Sequence, residues 1–62
     1  MMASPQDFLN QLVGKKVRVY TVNAMSVQGT LKAADSAFVV IMDDKGNIQV
    51  FSVYSIVYIV GS

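Results

Sequence analysis

The 62-residue sequence contains no cysteine and no histidine, which excludes a disulfide framework and the usual Cys/His metal sites. Glutamate is absent too, so the candidate acids and bases are four Asp, four Lys and three Tyr. They stand in no spacing that suggests a catalytic constellation. The expectation is a protein that is not an enzyme and uses no cofactor and no small-molecule substrate. The longest apolar run, Ala37 to Met42, is six residues, far short of the ~20 that span a bilayer. Met1 to Pro5 shows no charged segment leading into an apolar one, as a secretory leader would. A cytoplasmic protein without membrane association is expected.

What is present is apolar: 53% of the residues, with a net charge of only +1. A chain this short buries only about 60% of the surface it exposes when unfolded, so it carries more apolar residues than it can hide. With disulfides and metals excluded, association with another chain is the remaining source of stability. The small net charge rules out a strongly basic nucleic-acid-binding tail but leaves room for a modest basic patch.

Ser4-Pro5-Gln6-Asp7 has the form of a helix start, with Ser4 as cap, Pro5 at the first helical position and Asp7 in the first turn. Phe8, Leu9, Leu12 and Val13 recur at helical spacing and Gly14 supplies a stop. These signals predict a helix over about 5–13. It is too short to stand alone, so Phe8 and Leu12 should dock on the rest of the chain.

From Lys16 the period changes to two. Val17 and Val19 share one face of a first strand, with Arg18 and Tyr20 on the other. Val22-Asn23-Ala24 reverses the chain, and a second strand alternates Val27, Gly29 and Leu31 with Ser26, Gln28, Thr30 and Lys32. Gly29 permits a bend or a close backbone approach. After Asp35-Ser36, a third strand, Phe38 to Met42, is apolar on both faces and needs cover from the helix or a neighbour. Asp43-Asp44-Lys45-Gly46-Asn47 is a hairpin turn, followed by strands at Ile48–Val53 and Ile56–Val60. The fold class is therefore all-β with a short N-terminal helix: one domain over 1–62, its small, bent barrel over about 15–60. The last strand is aliphatic on both faces with no Lys or Pro gatekeeper, so it calls for a partner strand from a second copy, and head-to-tail repetition closes a ring.

The order of elements and the residues themselves resemble the Sm/LSm (Sm-like) family, including its bacterial Hfq branch. The first Sm motif is matched by Phe8-Leu9, Leu12, Gly14, Val17-x-Val19, Val27-x-Gly29-x-Leu31, Ala34-Asp35 and Phe38 to Met42. The second is similar to Phe51-Ser52-Val53-Tyr54-Ser55-Ile56-Val57-Tyr58-Ile59. The run Val17 to Gly29 resembles the Hfq stretch that carries a Tyr, a turn Asn and a Gln-Gly pair, here Tyr20, Asn23 and Gln28-Gly29.

This resemblance implies a five-stranded, strongly bent Sm-like (SH3-like) open barrel assembled as a homo-oligomeric ring of five to seven subunits. Strand four of one subunit would pair with strand five of the next, placing Ile48, Val50, Phe51, Ile56, Val57, Tyr58 and Ile59 at the subunit interface. It also implies a partner, single-stranded RNA, with DNA as the alternative. Of the family's two RNA sites, the pore-lining uridine pocket is degenerate here. Its stacking position is Ala37, its Asn position is Val39, and its Arg-Gly is Ser52-Val53. The distal-face site is better matched, by Tyr20, Asn23, Met25 and Gln28, although its Lys is Ser26. Against that stands a plain reading in which Tyr20 packs across strands and Gln28 is solvated. Lys15, Lys16 and Arg18 form the densest basic cluster, either a solvated rim or a phosphate-contacting circle once repeated around a ring. Lys32 reads as surface and Asp35 as a buried structural cap. Ala24 departs from the family's turn Gly, which suggests a turn of another type. A scaffold ring that binds protein instead of nucleic acid is the rival reading, and an SH3-like monomeric adaptor is a third.

Overall fold

A computed structural model describes residues 4–61, so residues 1–3 and Ser62 of the expected domain lie outside the described residues. The described residues form one short helix and five antiparallel strands in a single open sheet. The elements are α1 (Pro5–Gln11), β1 (Lys16–Thr21), β2 (Ser26–Ala34), β3 (Phe38–Asp43), β4 (Ile48–Ser52), a 3₁₀ turn η1 (Val53–Ser55) and β5 (Ile56–Gly61). The sheet order is β4-β3-β2-β1-β5. Among the described residues no helix is long and apolar enough to cross a membrane.

Helix α1 starts as its sequence predicts. Ser4 Oγ accepts from the Asp7 N–H at 3.3 Å, the Asp7 carboxylate accepts from the Ser4 N–H at 3.0 Å, and Pro5 occupies the first turn. It ends earlier than expected, at Gln11 with Leu12 as cap. The reason is the next contact: Gly14, at φ +86, donates its N–H to Leu31 O at 2.8 Å, so the chain must leave the helix to join β2. The docking face also differs. Leu9 and Leu12 pack on the core while Phe8 and Val13 stay exposed, because seven helical residues present one narrow stripe.

Period-two alternation turns one face of β1 to β4 inward, whereas β5, irregular in its pairing with β1, turns in Ile56 and Ile59, three positions apart. Val17 and Val19 of β1, Leu31 of β2, and Val39 and Ile41 of β3 are fully buried, and Val27, Phe51, Val53, Ile56 and Ile59 pack against them. Lys32 interrupts the ladder between Leu31 and Ala33, a bulge that bends β2 where the sheet curls. Two backbone bonds pin η1 to the adjacent turns: the Val22 N–H donates to Ser55 O and the Val53 N–H to Ala37 O, both at 2.9 Å. The outer face of β3, where cover was expected, is only partly covered by the described residues: Phe38 is exposed and Val40 and Met42 are half-buried.

The two hairpin turns have the same geometry. Thr21 and Met25 bracket one, with Thr21 N–H to Met25 O at 2.9 Å and Ala24 N–H to Thr21 O at 3.1 Å. Asp43 and Asn47 bracket the other, with Asp43 N–H to Asn47 O at 2.9 Å and Gly46 N–H to Asp43 O at 3.0 Å. Each needs a left-handed residue in its fourth position, Gly46 at φ +86 and Ala24 at φ +65. The turn type is thus kept at Ala24 despite the missing glycine, and the alanine carries the steric cost. Ala24→Gly is expected to raise stability by up to about 1 kcal/mol, the left-handed penalty of an L-residue less the extra chain entropy of glycine. Urea denaturation at fixed protein concentration reads this directly, and an unchanged or lower midpoint would contradict it. In the second turn the Asn47 N–H, the Gln49 amide and the Lys45 N–H all donate to the Asp43 carboxylate, holding it below the usual range.

Candidate nucleic-acid interface

The outer face of β1 carries Lys16, Arg18 and Tyr20 in one line, each about 6.8 Å from the next along the strand. Strand pairing sets what flanks them. On the β2 side the direct partners are Thr30, Gln28 and Ser26. On the β5 side Val60 faces Arg18 and Tyr58 faces Tyr20.

The two tyrosines stack, with ring centroids 4.5 Å apart and planes inclined by 18°. Tyr20 is half-buried and Tyr58 is 52% exposed. Tyr20 is therefore a cross-strand packing residue, and the exposed surface of the stacked pair is chiefly that of Tyr58. Tyr58, expected at the subunit interface, is the half of this pair that sequence reasoning missed. A nonlocal β1–β5 register is needed to find it, and no local signal gives that register.

One strand step away, Arg18 donates through Nη2 to Gln28 Oε1. Lys16 Nζ pairs with the Asp44 carboxylate at 3.1 Å, both side chains being about half exposed. Such an exposed pair contributes about 0–1 kcal/mol, so a phosphate can displace the carboxylate at little cost. Lys16, Arg18 and Gln28, with Val17, Val60 and Gly61, line an open groove of about 250 Å³. Lys15 precedes β1 and does not line it, and Lys32 is exposed on its bulge.

Asn23 and Met25 stand elsewhere. They line a second groove of about 350 Å³ with Val27, Gln49 and Phe51. Asn23 accepts through Oδ1 from the Thr21 hydroxyl, and its amide lies 3.6 Å from Met25 sulfur. The four residues expected to share one face are thus divided: Tyr20 and Gln28 lie on the outer face of the sheet, whereas Asn23 and Met25 lie in the β1–β2 turn beside Gln49 and Phe51 of β4.

The degenerate positions are occupied as follows. Ala37 is exposed in the β2–β3 turn and Val39 is a core residue at 1% exposure. Ser52 caps η1 by accepting from the Tyr54 N–H, and Val53 packs on the core. Asp35 caps its turn, its Oδ1 accepting from the Phe38 N–H at 2.8 Å and the Ala37 N–H at 2.7 Å. Those bonds, the Phe38 one first, hold its carboxyl below the ordinary range. The residue is exposed, not buried as expected, since the turn it caps lies at the surface.

The expected interface residues also divide by face. Ile48, Val50 and Val57 are 57%, 61% and 61% exposed. Phe51, Ile56 and Ile59 face inward and pack against the chain's own core, because Phe51 pairs with Val39 and Ile59 with Val19, both buried. Neither a protein-family model nor a curated protein matches this sequence.

Proposed function

We propose that this chain is an Sm-like, non-catalytic protein that binds single-stranded RNA as a closed homo-oligomeric ring, in the manner of an RNA chaperone or processing-associated protein, without a conventional uridine pocket. The observation that carries the binding is the track on the outer face of β1: Lys16, Arg18, and the Tyr20 ring stacked on Tyr58. Aromatic platforms take bases of any sequence, and cations beside them take the backbone. The ring reading is supported by the free edges, because β4 and β5 each have a partner on one side only. In a ring the track recurs once per subunit, so modest contacts sum through multivalency, and affinity falls as salt rises. The rival reading, a ring that binds protein, is favoured by one feature. The outer faces of β3 and β4 carry Phe38, Val40, Met42, Ile48 and Val50 with no charge among them.

The test is fluorescence anisotropy of labelled mixed-sequence RNA, oligo-U and single-stranded DNA at two salt concentrations. Tyr20→Ala is expected to weaken binding about 5-fold to 150-fold, the loss of ~1–3 kcal/mol of stacking. Lys16→Ala should weaken all sequences alike and flatten the salt dependence. Absence of binding at low salt would overturn the RNA reading and leave the protein-binding ring.

A further inference from the structure

Arginine is a donor only, with five N–H groups and no acceptor, whereas a glutamine amide both donates and accepts. When Arg18 donates to Gln28, the amide orientation is therefore fixed: Oε1 turns to the guanidinium and the NH₂ turns away from it. The two residues are direct cross-strand partners, so the pairing is set by the hairpin register. The consequence is chemical. A free glutamine reads adenine by donating to N7 while accepting from the N6 amino group; guanine instead offers two acceptors, O6 and N7. Oε1 keeps a second lone pair, but it is turned to the guanidinium side, so the edge Gln28 presents away from Arg18 is its NH₂, and the remaining N–H groups of Arg18 add more donors beside it.

We infer, resting on the RNA-binding reading above, that this face selects guanine over adenine: the Arg18–Gln28 pair is an all-donor edge, one strand step from the Tyr20–Tyr58 platform. The other side chains of the groove do not alter the donor character. Val17 and Val60 are apolar, Gly61 has no side chain, and Lys16 is a donor. Asp44, at the rim, is paired with Lys16 and offsets one of the two groove cations.

The test compares U-rich RNA 18-mers with G, A or 7-deazaguanine at every third position, by anisotropy on the intact assembly at low salt. The G-containing strand is expected to bind at least about 5-fold tighter than the A-containing one, the lower bound for a good bidentate base contact. The 7-deazaguanine strand, lacking N7, should lose most of that margin. Arg18→Ala frees the Gln28 oxygen and should reverse the preference toward adenine. Arg18→Lys keeps the charge without the planar fork and should bring the two strands close together. Equal or tighter binding of the A-containing strand by the unaltered protein, or a G-to-A ratio unmoved by Arg18→Ala, would overturn the guanine selection while leaving RNA binding in place. Failure of every strand to bind would overturn RNA binding itself.

Discussion

Gly29→Ala is expected to cost about 1–3 kcal/mol or more, a large part of the stability of so small a domain. Gly29 lies buried at the centre of β2, paired with Val17 on one side and Asp43 on the other. A Cβ there would lie 2.7 Å from Ile41 Cγ2 and 2.9 Å from Asp43 Cα, and would press on the Met42 carbonyl oxygen. Two of those atoms are β3 backbone, which cannot retreat without parting the β2–β3 ladder. The third belongs to Ile41, whose side chain is fully buried and has nowhere to turn. Gly→Ala otherwise stabilises by about 0.4–1 kcal/mol through the unfolded chain, and overpacking at this site outweighs that gain. Urea denaturation at one fixed protein concentration is the measurement, since association alters apparent stability. An alanine variant as stable as the parent would show that β2 and β3 do not approach this closely. Gly46 provides the contrast: nothing lies within 4 Å of its would-be Cβ, so its requirement is the positive φ and not space.

The sequence reveals what is local. The register of the second hairpin follows from its turn, which sets Val39 opposite Phe51, whereas the first turn, expected to be of another type because of Ala24, leaves Arg18 opposite Gln28 to be shown by the structure. The alternation in β1 and β2 likewise names Val17, Val19 and Leu31 as core. Three features are hidden for identifiable reasons. The β1–β5 pairing joins segments about 40 residues apart and slips between Tyr20 and Thr21, so the Tyr20–Tyr58 stack cannot be found by counting. Which helical residues dock depends on where α1 stops, and the bond from Gly14 to Leu31 decides that. Met25 is separated from Gln28 because it belongs to the β1–β2 turn, before β2 begins at Ser26, whereas Gln28 lies on the strand opposite Arg18.

Charging one free edge is expected to reduce the assembly to single chains of 6.7 kDa with the sheet intact. Strands β4 (Ile48–Ser52) and β5 (Ile56–Gly61) hold no charged residue and no proline, so neither edge has the usual protection against pairing. Their exposed side chains, Ile48, Val50, Val57 and Val60 among them, are apolar. If β4 of one copy pairs with β5 of the next, the contact is head to tail, and every interface consumes one edge of each kind. Val50→Lys would then block β4 alone and Val57→Lys would block β5 alone, and either variant by itself should be monomeric by light scattering or native mass. Each retains one competent edge, however. An equimolar mixture should therefore form 1:1 dimers, the intact β5 of one on the intact β4 of the other, and stop there. A like-with-like interface behaves differently: if β4 met β4, the Val57→Lys chain would dimerise without its counterpart. Single-variant dimers, a mixture that stays monomeric, or an unaltered chain that is already monomeric at micromolar concentration would each contradict head-to-tail assembly.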